Sequence, residues 1–594
     1  MHILGISCFY HDAAAALLRD GKLVAAAEEE RFSRVKHDNG FPDHSVRFCL
    51  EKAGITARDL DYVVFYEKPF HKFERILQMV LQTYPRSWKV FRESMITWLG
   101  DKLWLKSILR EKLGVEEGRI LFGDHHQSHA ASAFFDSPFD EAALLTVDGV
   151  GEWTTTAAGR GRGTEIALDR EIRFPHSLGL LYSAFTAFLG FQVNEGEYKV
   201  MGMAPYGTPR HVDKIMEHLI DVAGDGSFRI VMDRFSYHHS EERTFNRKFE
   251  RLFGPPRPPE MHFFTSTTRY PSYFGAKPAD YDAQCRLNEH YADIAASIQR
   301  VTEEVLLRLA GDLHRRTGLK KLCLAGGVAL NSVANGRILR ETPFEELFIQ
   351  PAAGDGGGAL GAALHAWCGL LGRPRGFVLE HAYWGREYGR EEVGEFLDRN
   401  GVAYERIPDE ARLTERVAAD LERGKVVGWF QGRFEWGPRA LGNRSILADP
   451  RSEEMKDLVN VKIKFREPFR PFAPVVLEEA VGDYFEGEGV AHQYPARYML
   501  LVLPFKDGRG ETVSAVNHMG TGRLQTVRRE WNPRYHDLVR AFGEATGVPV
   551  LLNTSFNLRG EPIVAAPADA FRTFSRSGID VLVMEDFVIR KDKE

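Results

Sequence analysis

The sequence predicts an α/β protein of two domains, the first of which contains a duplicated unit. Two strand–turn–strand patterns occur in the N-terminal part, one opening at Ile3–Phe9 and the other at Ala142–Val147. Such patterns at the start of repeated segments are typical of duplicated α/β units. A proline- and glycine-rich break at 372–376 precedes a differently patterned C-terminal half. Because 594 residues exceed what one hydrophobic core organises, we expect domains at 1–372 and 377–594.

The remaining elements follow from hydrophobic periodicity and turn residues. In chain order we predict a strand at 3–9, a hairpin of 13–18 and 23–27 about an Asp-Gly turn, a helix at 45–53, strands at 62–66, 142–147 and 153–157, an insertion of helical or irregular structure near 208–285, a helix at 291–317, and strands at 321–325 and 346–349. Two duplicated lobes that face each other form a cleft, which is where folds of this kind bind nucleotides.

Composition restricts the class of protein. The chain is 44% hydrophobic and 27% charged, values typical of a globular protein, and it contains no apolar run long enough to cross a bilayer. Its start has no basic segment followed by a long apolar one, so no secretory signal is expected. Five scattered cysteines without a CxxC pair favour a reducing cytoplasm, and a net charge of −6 gives no general attraction for nucleic acid. We therefore expect a cytoplasmic protein that binds neither membranes nor nucleic acids.

The sequence Asp124-His125-His126-Gln127-Ser128-His129 is the strongest metal-binding signal in the chain. On a helix capped by Gly123-Asp124, His125 and His129 project from one face, one turn apart. Asp355, in a glycine-rich segment after a predicted strand, is the natural third ligand. Two histidines and one carboxylate with open positions suit Fe(II), with Zn(II) or Mn(II) as rivals. The alternatives are ordinary helix-surface or core histidines, and an Asp355 that only caps the helix after it.

Two glycine-rich loops are candidates for phosphate or ribose binding. One is Asp148-Gly149-Val150-Gly151-Glu152, and the other is Gly326-Gly327-Val328, which follows a strand and precedes a helix. Glycines at such a junction let backbone N–H groups approach an anion at the positive end of a helix. A structural tight turn is the alternative for the second loop.

Tyr10-His11-Asp12 lies at a turn between two predicted strands. A histidine–aspartate pair there would orient or deprotonate an acceptor hydroxyl. Ordinary turn chemistry, in which aspartate is common, explains the same residues equally well.

The C-terminal half carries the densest positive charge. Its cations lie in Trp436–Ser445, Lys462–Phe472 and Gly520–Arg523, and a polar segment follows at Asn553–Asn557. Arginine presents a fork suited to phosphate and carboxylate groups, and lysine supplies a point charge. Aromatic residues, prolines and glycines interleave these cations where a solvated surface would place acidic partners. The pattern therefore favours a site for small anionic ligands.

Eight motifs in a fixed order make the chain similar to one enzyme family. They are HDAAAALL, HHQSHAASAF, TVDGVGEW, GEYKVMGMAPYG, LAGGVALN, WGPRALGNRSI, KFREPFRPFAPVV and NTSFN. Together they cover essentially the whole chain and resemble the O-carbamoyltransferases that tailor antibiotics, nodulation factors and related natural products. The resemblance implies a duplicated actin-like ATPase (ribonuclease-H-like) N-terminal domain, similar to the tRNA threonylcarbamoyl-transfer enzymes. It implies a C-terminal α/β domain similar to the YrdC-type threonylcarbamoyl-adenylate synthases.

The resemblance also implies two half reactions. The C-terminal domain would form carbamoyl-adenylate from carbamoyl phosphate and ATP with Mg²⁺, releasing phosphate and pyrophosphate. There Lys464 and Arg439 would be catalytic, within a substrate-binding set of Arg439, Lys464, Arg466, Arg470, Arg523, Asn553 and Ser555. The N-terminal domain would then transfer the carbamoyl group to a hydroxyl of a small natural product.

In that second half reaction, a metal on His125, His129 and Asp355 would hold the adenylate phosphate and polarise the mixed anhydride. Asp12 or His11 would remove the proton of the alcohol. The nucleotide would be cradled by Asp148, Gly149, Gly151, Gly326, Gly327 and Asn331.

Other functions are compatible with parts of the pattern. A tRNA threonylcarbamoyl-transfer enzyme shares the N-terminal fold and the HxxxH motif, but the fused C-terminal half and the acidic net charge count against it. A non-catalytic actin-like switch would bind ATP but has no use for the His–His–Asp set or the cationic cluster. A carbamoyltransferase homologue that has lost its acceptor, and a homodimeric assembly, both remain open.

Overall fold

The computed structural model of the chain describes residues 1–100, 102–240, 242–268 and 270–591. It contains two compact units: unit 1 comprises 1–10, 15–24 and 50–378, and unit 2 comprises 11–14, 25–49 and 379–594.

The division between the units departs from the predicted domains in one respect. It lies just beyond the predicted break at 372–376, but residues 11–14 and 25–49, expected in the first domain, belong to unit 2. Arg31 and Arg34 account for this, because their guanidinium groups donate to backbone carbonyls of Gly437, Pro562 and Ile563. These bonds join residues more than 400 positions apart, which local sequence patterns do not reveal.

The strands before residue 379 number twelve within the described chain. They are β1 (His2–Ser7), β2 (Ala14–Arg19), β3 (Lys22–Glu28), β4 (Tyr62–Phe65), β5 (Ile120–Phe122), β6 (Glu141–Val147), β7 (Thr154–Arg162), β8 (Glu165–Arg173), β9 (Ile220–Val222), β10 (Phe228–Ile230), β11 (Lys321–Ala325) and β12 (Glu346–Phe348). The predicted hairpin is present as β2 and β3, with Asp20 and Gly21 both at positive φ in the turn.

The helices of the same part of the chain alternate with these strands. They are α1 (Glu30–Ser33), α2 (Asp43–Ala53), α3 (Pro69–Thr83), α4 (Trp88–Gly100), α5 (Leu105–Leu113), α6 (His125–Phe134), α7 (Leu178–Phe188), α8 (Glu197–Met203), α9 (Val212–His218), α10 (Arg247–Phe253), α11 (Tyr281–Thr317), α12 (Ser332–Glu341) and α13 (Asp355–Leu364). The insertion predicted near 208–285 holds the short elements α9, β9, β10 and α10.

Two five-stranded sheets repeat one strand order and confirm the predicted duplication. The first is ordered β3-β2-β1-β4-β5, and the second, read in the same sense, β8-β7-β6-β11-β12. In each sheet the first strand of the repeat pairs in parallel with the fourth, which pairs in parallel with the fifth. The mixed α/β architecture is thereby confirmed, and the ribonuclease-H-like, actin-like assignment of this unit remains a prediction.

Unit 2 is built on a nine-stranded mixed sheet. Its strands are β13 (Glu405–Arg406), β14 (Val427–Phe430), β15 (Arg444–Ala448), β16 (Ala473–Leu477), β17 (Leu501–Pro504), β18 (Thr521–Val527), β19 (Val550–Ser555), β20 (Val581–Met584) and β21 (Phe587–Arg590). They are ordered β13-β21-β20-β14-β15-β19-β16-β18-β17. The YrdC-like assignment of this α/β unit remains a prediction.

Eight helices of the described chain follow residue 379. They are α14 (Arg390–Arg399), α15 (Glu410–Glu422), α16 (Glu453–Leu458), α17 (Val481–Tyr484), α18 (Tyr494–Arg497), α19 (Arg509–Thr512), α20 (Pro533–Thr546) and α21 (Pro567–Ser575). A π-helical turn at Val459–Ile463 leads directly into Lys464. Across all described helices, none combines the length and apolar character needed to cross a membrane.

Candidate active site

Helix α6 presents the two histidines of the HxxxH motif, as the sequence predicts. It begins at His125, whose backbone N–H donates to the Glu152 carboxylate at 3.0 and 3.2 Å. The predicted cap, Asp124, makes no capping bond and instead pairs with Lys68 at 2.9 Å. The helix start is therefore anchored by a carboxylate from the loop after β6.

Four side chains of unit 1 converge on one buried point. Nε2 of His125 lies 3.2 Å from Oδ2 of Asp148 and 3.6 Å from Oδ1 of Asp355. Nε2 of His129 lies 3.5 Å from the same Asp355 oxygen and 3.1 Å from Nε2 of His125. The four candidate ligand atoms all lie within 4.8 Å of one another. The predicted ligands thus meet, and Asp148, expected at the nucleotide, joins them.

Close packing between two helices brings Asp355 to the histidines. Asp355 is the first residue of α13, and a Cβ on Gly361 would lie 1.9 Å from the carbonyl oxygen of Ser128 in α6. Only glycine permits this approach, so the small residues of α13 set the distance between the helices. Asp355 thus lies beside both histidines, and its role as a metal ligand remains a prediction.

The charge of the surrounding residues fits a divalent cation. With the histidines neutral, as metal ligands must be, the buried ionisable side chains around this point sum to two net negative charges; they are Glu67, Asp148, Glu152, Asp355, Lys72 and Arg75. Burial alone would raise the pKa of Glu67, but Lys72 and His125 lower it to about 2. Burial likewise disfavours charge on His125, yet the carboxylates of Asp355 and Asp148 raise its pKa well above the usual value. A bound dication would neutralise this excess of carboxylates.

Two of the glycines predicted to bind a nucleotide, Gly327 and Gly151, contact residues of the candidate metal cluster. The backbone N–H of Gly327 donates to Oδ1 of Asp148 at 2.7 Å, which leaves Oδ2 facing His125. A Cβ on Gly151 would lie 3.0 Å from the His125 ring. Both positions are therefore constrained by the ligands, whether or not a nucleotide also binds there.

The other predicted nucleotide residues have local structural partners. The Gly149 carbonyl accepts from Ser177 Oγ at 2.7 Å, and Gly326 adopts φ +93° against the backbone of β6. Asn331 caps α12 by accepting from the Ala334 N–H at 3.2 Å, and its amide also bonds Gln299. Their role toward a nucleotide remains a prediction.

In unit 2, Asp12 is held between two histidines. Its Oδ2 lies 2.8 Å from Nδ1 of His11, and its Oδ1 lies 2.8 Å from Nδ1 of His37. Burial would raise the pKa of Asp12, but hydrogen bonds from His11 and His37 hold it well below its usual value. A carboxylate with both oxygens engaged in this way orients imidazoles better than it accepts a proton. His37 carries no local sequence signal for this contact, since it lies 25 positions from Asp12.

Lys464 is the centre of the predicted cationic cluster. It is 4% exposed, and its Nζ donates to the Ser555 carbonyl at 2.6 Å and to the Asn557 side-chain oxygen at 2.6 Å. Burial lowers the pKa of Lys464 well below its usual value, and Arg466 and Arg470 lower it further. All four of its described hydrogen-bond acceptors are uncharged oxygens. The site therefore suits an anionic ligand, which would supply the missing negative charge.

Three further residues of the predicted C-terminal set lie on β19 and β18, two strands separated by β16 in the sheet. Asn553 and Ser555 are two residues apart on β19, so their side chains lie on the same face of the sheet. Asn553 Nδ2 donates to Oε1 of Gln525 on β18 at 2.6 Å. Arg523 occupies the same face of β18, two residues before Gln525. Asn553 also donates to the Ala440 carbonyl at 3.2 Å, beside Arg439.

The loop that carries Arg439 is fixed by a buried glutamate. Glu435 is 1% exposed and accepts from the backbone N–H groups of Leu441, Asn443 and Arg444 at 2.7, 2.8 and 3.2 Å. Arg466 is held at its Nε by Asn460 Oδ1 at 2.6 Å, and Arg470 lies 3.5 Å from Glu467. The role of these C-terminal residues toward a substrate remains a prediction.

Family models match both halves of the chain. Residues 2–364 match the model described as carbamoyltransferase N-terminus, and residues 418–591 match the one described as carbamoyltransferase C-terminus.

Three relatives show how far the similarity extends. The uncharacterized protein sll1178 of Synechocystis sp. is 48% identical over 99% of this chain and 97% of its own length. The nodulation protein NolNO of Sinorhizobium fredii is 39% identical over 98% of this chain and 79% of its own length. The 3'-hydroxymethylcephem-O-carbamoyltransferase of Amycolatopsis lactamdurans is 36% identical over 45% of this chain and 48% of its own length.

Proposed function

This chain belongs to the carbamoyltransferase family, and from that premise we propose an ATP-dependent O-carbamoyltransferase that acts on a hydroxyl of a small natural product. The observation that carries the proposal is the presence, in one chain, of two different buried clusters of polar and charged side chains. One is the His–His–Asp–Asp cluster of unit 1, and the other is the buried Lys464 cluster of unit 2. The name of the cephem relative supports a hydroxyl acceptor.

The first half reaction would take place at the Lys464 cluster. Water cleaves carbamoyl phosphate to phosphate and carbamate, and the carbamate oxygen then attacks the α-phosphorus of ATP. The bond from the α-phosphorus to the bridging oxygen breaks, pyrophosphate leaves, and carbamoyl-adenylate remains. Lys464 and Arg439, with Arg466, Arg470 and Arg523, would reduce the repulsion between the two polyanions, while Ser555 and Asn553 orient them.

The second half reaction would transfer the carbamoyl group to the acceptor. The acceptor oxygen attacks the carbamoyl carbon, the bond to the adenylate oxygen breaks, and AMP leaves. His125, His129, Asp148 and Asp355 would hold the divalent metal, for which Fe(II) is the leading candidate and Zn(II) or Mn(II) are rivals. When bound, this metal supplies Lewis acidity and a positive charge for the phosphate.

We propose that His11 removes the proton of the acceptor hydroxyl and that Asp12 orients the ring of His11. Asp12 fixes the Nδ1–H tautomer of His11, which leaves Nε2 as the basic atom. Asp12→Asn is expected to lower formation of the carbamoylated acceptor at least about 100-fold, because the orienting charge is lost. Pyrophosphate release should stay near the wild-type rate.

Both rates are to be measured for Asp12→Asn by mass spectrometry and a coupled pyrophosphate assay. Asp38→Asn is the matched control, since its carboxylate lies in the same segment and bonds the Gly40 N–H at 2.9 Å. Full acceptor carbamoylation by Asp12→Asn would contradict the assignment.

The two alternative functions are less well supported. The match of 418–591 to a carbamoyltransferase C-terminus gives no support to a tRNA threonylcarbamoyl-transfer enzyme, and a switch would not need either cluster.

The proposal is tested by incubating the protein with ATP and Mg²⁺, with and without carbamoyl phosphate. We expect pyrophosphate release that requires carbamoyl phosphate, together with carbamoyl-adenylate detected by mass. Release that is independent of carbamoyl phosphate, or no release with Mg²⁺ and Fe²⁺ present, would contradict the two-step scheme.

A further inference from the structure

We propose that Glu67 is a positioning residue of the metal centre, which orients His125 through its Nδ1–H and is itself held in place by Lys72. This inference rests on the proposed metal centre of unit 1. Glu67 follows β4, Lys72 lies in the first turns of α3, and His125 begins α6, so that three separate elements contribute.

The need for such a residue follows from the burial of His125. The side chain is 0% exposed, and its Nδ1 is a solvent-inaccessible atom without a hydrogen-bond partner in the described part of the chain. The carboxylate oxygen that faces it is Oε2 of Glu67, at 3.5 Å. A displacement of about 0.5 Å brings this pair to ordinary hydrogen-bond distance. Buried N–H groups are normally satisfied, and Glu67 is the acceptor in position to satisfy this one.

A hydrogen-bond acceptor at Nδ1 determines whether Nε2, the other ring nitrogen, carries a proton or a free lone pair. With the proton on Nδ1, the lone pair of His125 lies on Nε2, which faces Asp148 and Asp355. This is the tautomer that a metal ligand requires. Loss of the acceptor would free the ring to rotate or to change tautomer.

Lys72 fixes the position of Glu67. Its Nζ donates to both carboxylate oxygens, at 3.0 and 2.8 Å, and both side chains are buried. The same Nζ lies 3.8 Å from the centre of the Tyr10 ring, which restricts the lysine further. The carboxylate is therefore held by a buried, bidentate ion pair on one side and faces the imidazole on the other.

The simpler explanation is an ion pair that only stabilises unit 1. A stability role would leave metal affinity unaltered, whereas a positioning role would change both affinity and coordination geometry. Charge alone would also alter affinity, since Glu67 is one of the carboxylates near the cluster. Variants that keep the charge but move it separate these explanations.

The experiment titrates the full-length protein with Co²⁺, using chelator competition for affinity and visible absorption for coordination. Glu67→Gln removes the charge, and Glu67→Asp keeps it but withdraws the carboxylate by one methylene. We expect both variants to lose about 10- to 100-fold in Co²⁺ affinity and to show altered absorption bands. Lys72→Met should lose affinity as well, because Glu67 is then no longer held.

Glu303→Gln is the matched control. Glu303 is a buried carboxylate of the same unit that pairs with Arg337 at 2.7 Å. It is not among the candidate ligand residues, so its loss should lower thermal stability while Co²⁺ affinity and absorption stay unchanged.

The outcomes are distinguishable. Wild-type affinity in both Glu67 variants overturns the inference and leaves the metal centre intact. Loss in Glu67→Gln but not in Glu67→Asp overturns it in favour of charge alone. Absence of Co²⁺ binding by the wild type overturns the proposed metal centre together with this inference. If Glu67→Gln does not fold, Glu67→Asp and Lys72→Met carry the test.

Discussion

Replacement of Lys464 by methionine is expected to lower carbamoyl-phosphate-dependent pyrophosphate release by about 10²- to 10³-fold. The described hydrogen-bond acceptors of the buried Nζ are uncharged oxygens of Ser555 and Asn557, so no bonded carboxylate competes with an anionic substrate, whose negative charge would favour the protonated amine. Methionine has a similar length and apolar stem, so that the packing around position 464 is largely kept. The measurement is the initial rate of pyrophosphate release with ATP and carbamoyl phosphate, before any acceptor is known.

Lys462→Met is the matched control for this prediction. Lys462 lies two residues earlier, is exposed, and belongs to the same basic segment. Its replacement removes an identical charge from the surface and should leave the rate near that of the wild type. Equal losses in both variants would show that general surface charge, and not the buried site, attracts the substrates. A wild-type rate in Lys464→Met would remove Lys464 from the first half reaction.

Replacement of Asp148 by asparagine is expected to separate the two half reactions. We expect metal affinity and formation of carbamoylated acceptor each to fall more than about 100-fold, because a ligand carboxylate becomes a neutral amide. Asparagine can still accept from the Gly327 N–H, so the loop before it should keep its conformation. Pyrophosphate release should continue, since the residues assigned to it lie in unit 2.

The control for Asp148→Asn is Asp124→Asn. Asp124 precedes α6 and pairs with Lys68 at the surface, at side-chain exposures of 57% and 38%. A surface pair of this kind contributes little, so both half reactions should remain near wild type. Metal content is measured by elemental analysis of both variants. An Asp148→Asn protein that retains metal and transfers the carbamoyl group at the wild-type rate would exclude Asp148 as a ligand.

Local sequence patterns predicted the elements that carry the site. The i, i+4 spacing of His125 and His129 placed both on one helix face, and the strand before Asp355 indicated a functional carboxylate at its end. The hairpin of β2 and β3 followed from an Asp-Gly turn between apolar runs. These predictions succeeded because helix periodicity and turn geometry depend on a few adjacent residues.

The remaining features depend on distant contacts. From the sequence alone, Asp148 is expected in a phosphate loop, because it stands between a strand and glycines. Its place beside His125 follows from how β6 and α6 pack, which no local pattern records. Glu67 and His37 carry no local sequence motif, since the side chains they face, those of His125 and Asp12, are distant in the sequence.

Unit 2 is assembled from separate segments of the chain, which has a consequence for its folding during synthesis. Residues 11–14 and 25–49 leave the ribosome early, yet the rest of their unit begins at residue 379. During translation, Arg31 and Arg34 are therefore synthesised before the backbone carbonyl groups to which they donate in the folded protein. The second unit cannot fold as a contiguous nascent domain, and a gene fragment that encodes only its C-terminal portion lacks part of its structure.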